Sequence, residues 1–322
     1  MKLLIIDGNN LAHRVNHVFS LSRPDGMDVS ITYGVLHNLR ALLNMFEPES
    51  VIMAWDGGIP KFRVEKVPSY KANRSQRDPD EYADMVRQME ELSNVALPLA
   101  GVLNIRRPRM EADDIMFHAA FMAMGYEQVI IISNDEDMIQ ASAMNGVSVY
   151  SPSKDRYVDA DYVKEEYGIS IHQFVHWKAL QGDGSDNIKG VPGIGPKKAT
   201  KLFQEYESLS GIINAAIGNN PVGTISGKMG ENIREFGMEN ISKNVYVMAL
   251  YADRTGARLA VHEELDYYQP ANIKSFKDYL FSNSFVSLME PDFYKKLAAL
   301  KAPVMSVVRM PVICNQRFPR ER

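Results

Sequence analysis

The sequence predicts an α/β fold, in which a mainly parallel central sheet is flanked by helices and is followed by a mostly helical domain. In the first half of the chain, short apolar runs typical of buried strands alternate with apolar residues at helical spacing. After Asp159 the strand signals stop and helical patterns dominate. We therefore expect an α/β domain over residues 1–160, a helical domain over residues 161–300 and a basic tail over residues 301–322.

The first two predicted strands both end in an aspartate followed by glycine. Asp7 follows the strand Lys2–Ile6, Asp56 follows the strand Val51–Trp55, and a helical pattern lies between them. A right-handed crossover would bring both aspartates to the same edge of a parallel sheet, where ligands bind in such folds. Capping of a turn or helix is the alternative role for each. Further strands are predicted at Val102–Ile105, Gln128–Ser133, Val147–Tyr150 and Arg156–Val158, the last two as a hairpin or as edge strands.

Three more carboxylates, Glu111, Asp113 and Asp114, open a predicted helix. On a helix Glu111 and Asp114 would share a face, and Asp113 would point about 100° away. Acids in a first turn often only complement the helix dipole, but that explanation weakens when acids recur at other turns. The recurring acids are Asp7, Asp56, Asp135, Asp137, Asp183 and Asp186. Converging carboxylates need cations, and oxygen ligands suit Mg²⁺ or Mn²⁺.

A basic segment follows the second strand. Between Lys61 and Arg77 six basic residues stand against Glu65 alone, a local charge of +5. Phe62 and Tyr70 are interleaved with them, a composition that suits gripping phosphates and stacking a base. A solvated loop is the alternative. The basic residues are Lys61, Arg63, Lys66, Lys71, Arg74 and Arg77.

The segment Gly182–Ala199 predicts a helix-hairpin-helix phosphate clamp. A helix over Phe174–Leu180 enters it, a tight turn follows over Gly190–Gly195, and Pro196 suits the first position of the next helix. Gly193 and Gly195 would let backbone N–H groups approach a phosphate. An ordinary glycine-rich turn between two helices is the alternative. Positive charge beside this helix start comes from Lys197, Lys198 and Lys201.

The composition limits the classes of protein further. The net charge of −4 argues against a uniformly basic nucleic-acid coat, so such binding would rest on local patches. The single cysteine, Cys314, excludes a disulfide framework and a cysteine-rich zinc site. The start of the chain carries no signal-peptide pattern and no stretch is long enough to span a bilayer. We expect a cytoplasmic monomer without a membrane partner.

Taken together, the motifs resemble those of the 5′-nuclease, or flap endonuclease, superfamily, especially free-standing phage 5′ nucleases and the 5′-nuclease domain of bacterial DNA polymerase I. They are Gly182–Ala199, Glu111-Ala112-Asp113-Asp114, Asp135-x-Asp137 and Tyr70-Lys71-Ala72-Asn73-Arg74. The resemblance covers about residues 1–285. It implies a PIN-like 5′-nuclease core with a helical arch at about residues 60–97, then a helix-hairpin-helix domain of the H3TH type. No polymerase domain follows, so we expect a stand-alone nuclease.

The resemblance implies a structure-specific 5′–3′ exonuclease and flap endonuclease that uses two Mg²⁺ or Mn²⁺ ions. Its substrates would be DNA with a 5′ flap, nick or end and RNA–DNA hybrids, with ribonuclease H activity, as in primer removal during replication. A K⁺ ion would sit on backbone carbonyls of the hairpin. The implied metal ligands are Asp7, Asp56, Glu111, Asp113 and Asp114 for the first cluster, Asp135 and Asp137 as bridges, and Asp183 and Asp186 for the second. The implied catalytic residues are Lys71 and Arg74, and the DNA-binding residues are Arg63, Lys66, Tyr70, Gly193, Gly195, Lys197, Lys198 and Lys201.

Two other functions are compatible with parts of the sequence. A non-catalytic junction-binding protein could use the hairpin and the basic segment, but it would gain nothing from nine converging acids. A metal-dependent single-strand ribonuclease of related fold would have little use for a hairpin suited to duplex. The tail Ala302–Arg322 carries four arginines against Glu321. Disorder, contact with DNA and contact with a replication protein are the alternatives for it.

Overall fold

The computed structural model describes residues 1–73, 78–123, 125–218, 223–225 and 227–306, which form two compact units. The first consists of the described parts of Met1–Pro60, Ser75–Tyr157 and Leu250–Met305. The second is built mainly from Lys61–Arg74 and Val158–Ala249. Arg74, Arg77 and the greater part of the predicted tail lie outside the described residues.

The first unit contains a six-stranded sheet in the order β3-β2-β1-β4-β5-β6. All neighbouring strands are parallel except β5 and β6, which pair antiparallel at one edge. This confirms the predicted mainly parallel sheet and the hairpin at its edge. The strands are β1 (Lys2–Asp7), β2 (Ser50–Trp55), β3 (Leu103–Arg106), β4 (Gln128–Ile132), β5 (Val147–Ser151) and β6 (Arg156–Tyr157).

The helices follow the apolar periodicity of the sequence, and the second unit is mostly helical, as expected. They are α1 (Gly8–Asn16), α2 (Ser30–Phe46), α3 (Lys61–Lys66), α4 (Pro79–Glu91), α5 (Leu97–Leu99), α6 (Ala112–Met122), α7 (Ala160–Tyr167), α8 (Phe174–Gln181), α9 (Pro196–Tyr206), α10 (Leu209–Ile217), α11 (Lys228–Met248), α12 (Ala257–Leu265), α13 (Ile273–Ser282) and α14 (Pro291–Ala299). A π-helical turn spans Leu92–Ala96, and 3₁₀ turns span Glu136–Ala143, Ile171–Gln173, Gly223–Ile225 and Val286–Leu288. Among the described residues no helix combines the length and apolar character needed to cross a bilayer.

The C-terminal helices pack with the sheet, although the sequence assigned residues 161–300 to the helical domain. Phe276, Phe293 and Leu297 are buried in the same core as the strand residues Leu4 and Val51. Burying these side chains removes apolar surface from water, which explains why the segment joins the first unit. That residues 1–160 and 161–300 form independent folding domains stays a prediction.

Helix α4 is fixed in the first unit by a buried amide. The Gln88 side-chain oxygen accepts hydrogen bonds from the N–H groups of Ile31 and Thr32, each at 3.0 Å, at the start of α2. Val29, at the N-cap of α2, provides no side-chain oxygen, so Gln88 satisfies N–H groups that a helix start leaves open. The predicted arch at about residues 60–97 thus includes a helix packed in the first unit, whereas α3 belongs to the second.

In the second unit, a short strand pair, β7 (Gly182–Asp183) and β8 (Ile188–Lys189), follows α8. Gly190 is required directly after it, because a Cβ there would lie 2.0 Å from the carbonyl of Gln181. Helix α9 begins at Pro196 with Gly195 as its N-cap, which confirms the predicted N1 proline.

Candidate functional site

Asp7 ends β1 at the carboxyl edge of the sheet and is almost fully buried, with 6% of its surface exposed. Its Oδ1 accepts a hydrogen bond from the N–H of Asn10 at 2.8 Å, and its Oδ2 accepts one from the Ser133 hydroxyl at 2.9 Å. Burial raises the pKa of Asp7 to about 7; the charges of Asp56 and Asp135 add to this rise, and the two hydrogen bonds oppose it. An anion in this position is costly unless a cation accompanies it.

Asp56 follows β2 and determines where helix α6 starts. Its Oδ1 accepts a hydrogen bond from the N–H of Ala112 at 2.8 Å, while its own N–H donates to Oδ1 of Asn9 at 2.8 Å. The next residue, Gly57, donates its N–H to the carbonyl of Met110 at 2.8 Å. These bonds join the end of β2 to the segment that carries the next three acids.

Glu111 precedes α6 and does not share a helical face with Asp114, in contrast to the expectation from the sequence. It is the N-cap residue, with an extended backbone of φ −91° and ψ 152°. The hydrogen bond between Ala112 and Asp56 explains why the helix begins only after it. Glu111 and Asp114 are buried, and Asp113 is half-buried. The positive end of the helix dipole favours carboxylates at this location.

Ser133 connects Asp7 with the acids that follow β4. Its hydroxyl donates to Asp7 and accepts the N–H of Asp135 at 3.1 Å. Asp135 in turn accepts the N–H of Asp137 at 2.8 Å and caps the following 3₁₀ turn. Asp135 is exposed and Asp137 is half-buried. Ser133 has no role predicted from the sequence, where the only signal was a hydroxyl between a buried strand and an acid.

In the second unit, Asp183 forms an ion pair with a lysine that the sequence analysis missed. Lys178 Nζ lies 2.9 Å from Oδ2 of Asp183, and the N–H of Ser185 donates to Oδ1 at 2.8 Å. Burial works to raise the pKa of Asp183, but Lys178 and Ser185 outweigh it and hold the pKa at about 2. The sequence did carry a signal for this ion pair, because Lys178 stands in the last turn of α8, the helix that leads into the acidic turn.

Asp186, in the same turn, contacts the basic segment. The Tyr70 hydroxyl donates to Oδ2 of Asp186 at 3.0 Å, and Lys71 Nζ lies 3.8 Å from Oδ1. The N–H of Lys71 donates to the Asp186 carbonyl at 2.9 Å, and the Asn73 amide donates to the carbonyl of Gly184 at 2.8 Å. The chain that carries Lys71 is therefore fixed on the turn that carries Asp183 and Asp186.

Arg63 and Tyr70, which we expect to contact nucleic acid, are buried, and that contact stays a prediction. Their exposed fractions are only 3% and 6%. The Arg63 Nε–H donates to the carbonyl of Val247 at 3.0 Å, and its guanidinium lies 5.0 Å from the centroid of the Phe62 ring. Both residues hold the basic segment in place. Lys66 is exposed and remains accessible to phosphate.

The hairpin residues lie as the sequence predicts. Gly193 has a positive φ of 76°, which suits a tight turn, and Gly195 is the N-cap of α9. The side chains of Lys197, Lys198 and Lys201 are exposed on the first turns of α9. Arg74, the second predicted catalytic residue, lies outside the described residues.

Seven of the nine predicted metal ligands thus belong to the first unit, at the carboxyl ends of strands or the starts of helices, and two belong to the turn of the second unit. The donors are all carboxylate oxygens, which fit hard divalent cations such as Mg²⁺ or Mn²⁺. The buried carboxylate of Asp7, with its raised pKa, is the feature that most clearly fits a bound cation.

Two family models match consecutive parts of this chain. One, described as the 5′–3′ exonuclease N-terminal resolvase-like domain, matches residues 2–168; the other, the 5′–3′ exonuclease C-terminal SAM fold, matches residues 169–263. DNA polymerase I of Mycobacterium tuberculosis (strain H37Rv) is 32% identical over 242 residues, covering 72% of this chain and 25% of the polymerase. DNA polymerase I of Streptococcus pneumoniae (strain R6) is 34% identical over 242 residues, covering 72% and 26%. The chain spans about a quarter of the length of these relatives.

Solved structures share the fold. The bacteriophage T5 D15 protein, co-crystallised with metal ions, matches with a TM-score of 0.69 and 23% identity, over 90% of this chain and all of that protein. A T5 D15 flap endonuclease in a complex with DNA and metal ions matches with a TM-score of 0.66 and 25% identity, over 88% of this chain and all of that protein. These similarities confirm the predicted fold class, a PIN-like core with a helical domain.

Proposed function

The chain belongs to the 5′–3′ exonuclease family, and solved structures of similar fold hold metal ions. From these premises we propose that it is a metal-dependent nuclease with a specific activity. It is a structure-specific 5′–3′ exonuclease and flap endonuclease that hydrolyses phosphodiester bonds near the 5′ ends of DNA and of RNA–DNA hybrids. The observation that carries this proposal is the acid group at the sheet edge, where a buried Asp7 has a pKa of about 7.

The proposed cofactors are two divalent ions, Mg²⁺ or Mn²⁺. Asp7, Asp56 and the acids around the start of α6 would hold one ion, and Asp183 and Asp186 would hold the other. When bound, such ions stabilise charge developing on a phosphodiester and increase the acidity of water. Burial of Glu111 and Asp114 supports this role, because buried carboxylates are rare unless they are paired or bind a metal.

The lysines around the acidic turn would supply charge to the scissile phosphate. Lys71 is held by its main chain against Asp186, and only 9% of its side chain is exposed. A positive charge held in place before the reaction stabilises a developing anion without reorganisation. Lys178 is a second cation beside the same turn, 2.9 Å from Asp183. We assign phosphate stabilisation to Lys71, and to Lys178 the balancing of the Asp183 charge when no metal ion is bound.

Substrate choice would depend on shape and not on base sequence. The start of α9, with the exposed side chains of Lys197 and Lys201, suits the phosphate backbone of a duplex. Lys66 would add a further phosphate contact from the basic segment. We propose that the protein acts as a monomer in the cytoplasm, and that its arginine-rich tail binds DNA or a replication protein.

A substrate panel tests the proposed activity. Flapped duplex, nicked duplex, RNA–DNA hybrid and single-stranded DNA, each labelled at either end, would be incubated with Mg²⁺ or with a chelator and resolved on a gel. We expect products released from the 5′ side of flapped and nicked duplexes and of the hybrid, and no product with chelator. Cleavage that persists in chelator, or that prefers single strands, would contradict the proposal. Binding without cleavage in Mg²⁺ would indicate the junction-binding alternative.

A further inference from the structure

The tip of the hairpin exposes main-chain carbonyl groups that its own turn does not satisfy. The carbonyl of Val191 accepts the N–H of Ile194 at 3.0 Å, and the carbonyl of Gly195 accepts N–H groups of the first turn of α9. Pro192 and Gly193 lie between them and are exposed. Carbonyl oxygens at such a turn need water, a donor group or a cation.

Two side chains from neighbouring helices donate to these carbonyls. The Asn232 amide, on α11, donates to the carbonyl of Pro192 at 2.7 Å. The Lys198 ammonium, on α9, donates to the carbonyl of Gly193 at 2.8 Å. A Cβ added at Gly193 would lie 3.5 Å from the same Asn232 amide, so the turn passes close to α11. An amide and an ammonium therefore fix the tip of the hairpin from two sides.

We propose that Lys198 is the built-in cation of this hairpin and that, together with Asn232, it holds the hairpin for duplex binding without a K⁺ ion. Lys198 and Asn232 are positioning residues in this account. The inference rests on the proposed function, because it concerns how the hairpin recognises duplex. It replaces the K⁺ ion that the family resemblance implies.

The charge of Lys198 explains why a K⁺ ion does not fit. An ion on the carbonyl of Gly193 would lie beside an ammonium group of the same charge that already occupies that oxygen. Two positive charges that share one carbonyl oxygen repel each other. The carbonyl of Pro192 is also engaged, since it accepts the Asn232 amide.

This arrangement separates the roles of two adjacent lysines. Lys198 donates to the hairpin carbonyl, whereas Lys197 and Lys201 are exposed on the same helix and are suited to phosphates. Lys197 is consequently a matched control for Lys198, because it is the same residue type, lies one position away and is also exposed. Replacing either lysine removes one positive charge, but only Lys198→Met removes the cation from the carbonyl.

The test measures binding of the full chain to flapped duplex by fluorescence anisotropy, with Ca²⁺ as the divalent ion. Two buffers of equal ionic strength would contain KCl or tetramethylammonium chloride, whose cation is too large to coordinate carbonyls. We expect wild-type dissociation constants to agree within about twofold between the two salts. Lys198→Met should bind about tenfold more weakly in tetramethylammonium and recover most of that loss in K⁺. Lys197→Met should lose a few-fold in both salts alike.

Two further measurements are controls. One tests whether the charge at position 198 is what matters, and the other detects K⁺ without DNA. Lys198→Arg retains a cation and should behave like wild type in both salts. In thermal unfolding without DNA, K⁺ should raise the Tm of Lys198→Met and leave that of the wild type unchanged. Stronger wild-type binding in K⁺, or Lys198→Met and Lys197→Met responding alike, would overturn the inference while duplex binding stands. A wild type that binds duplex in neither salt would overturn the proposed function and this inference together.

Discussion

Lys178 Nζ lies 2.9 Å from Asp183 Oδ2, so one acid of the proposed metal turn already has a positive partner from the preceding helix. Asp7 differs, because its described hydrogen bonds come from neutral donors, the N–H of Asn10 and the hydroxyl of Ser133. The pKa values follow this difference, at about 2 for Asp183 and about 7 for Asp7. The two acid groups should therefore respond differently when a cation is added or a charge is removed.

Lys178→Met should tighten divalent-ion binding at the acidic turn. The ammonium competes with a metal ion for Asp183, so its removal should lower the dissociation constant for Ca²⁺ by about three- to tenfold. Titration calorimetry of the variant and the wild type would measure this. Lys189→Met, a change of an exposed lysine on β8, is the control and should leave the affinity nearly unchanged. Weaker metal binding by Lys178→Met would show that this lysine chiefly holds Asp183 in position.

Asp7→Asn should stabilise the metal-free protein above pH 7. The folded-state pKa of about 7 lies above the ordinary value of 3.8, so folded Asp7 keeps its proton where the unfolded chain has lost it. Its contribution to stability is complete below about pH 4 and is lost as the pH rises to 7. Asparagine does not ionise, so the variant does not lose stability as the pH rises. At pH 8 it should therefore be more stable than the wild type by about 1 to 3 kcal/mol.

Urea unfolding in chelator at pH 5 and pH 8 would measure this difference. The stabilisation should be larger at pH 8 than at pH 5. Saturating Mg²⁺ should reverse the order at pH 8, because an ion that binds only the folded wild type stabilises it. An Asp7→Asn variant that is less stable than wild type in chelator at pH 8 would assign Asp7 a structural role.

Lys71→Ala should slow the chemical step, whereas Lys66→Ala should weaken binding. Losing a preorganised charge at a scissile phosphate lowers the rate by roughly 10² to 10³, with little change in affinity. Lys66 is exposed, so its loss should raise the dissociation constant modestly and reduce the salt dependence. Single-turnover cleavage in Mg²⁺ and equilibrium binding in Ca²⁺ would separate the two patterns. An unchanged cleavage rate for Lys71→Ala would show that Lys71 contributes to the basic surface and not to the chemical step.

The sequence predicted the sheet and the positions of its acids well, because both depend on local patterns. Strand β1 was predicted at Lys2–Ile6 and extends only one residue further, to Asp7. Apolar runs that end in Asp-Gly are visible without any long-range information. The helix start at Pro196 was likewise a local signal, since proline fits the first helical position.

The contacts that the sequence could not predict join residues far apart in the chain. Arg63 appeared to be a surface cation, yet it donates to the carbonyl of Val247 and is buried. Gln88 supplies the cap that the start of α2 lacks. The helices over Leu250–Met305 looked like part of the helical domain because periodicity identifies an apolar face but not the surface that covers it.

Asp113→Asn tests most directly whether the acids form a metal-dependent catalytic centre. The substitution removes one carboxylate at the start of α6 and keeps the size of the side chain. Asp161→Asn, an exposed aspartate in the first turn of α7, is the matched control. The measurement is cleavage of 5′-labelled flapped duplex in Mg²⁺ beside binding in Ca²⁺.

We expect Asp113→Asn to lose cleavage by roughly 10³ or more, with binding unchanged or slightly tighter because one negative charge near the phosphate is gone. Asp161→Asn should cleave and bind like wild type. Normal turnover by Asp113→Asn would remove Asp113 from the site and contradict a metal centre at the start of α6.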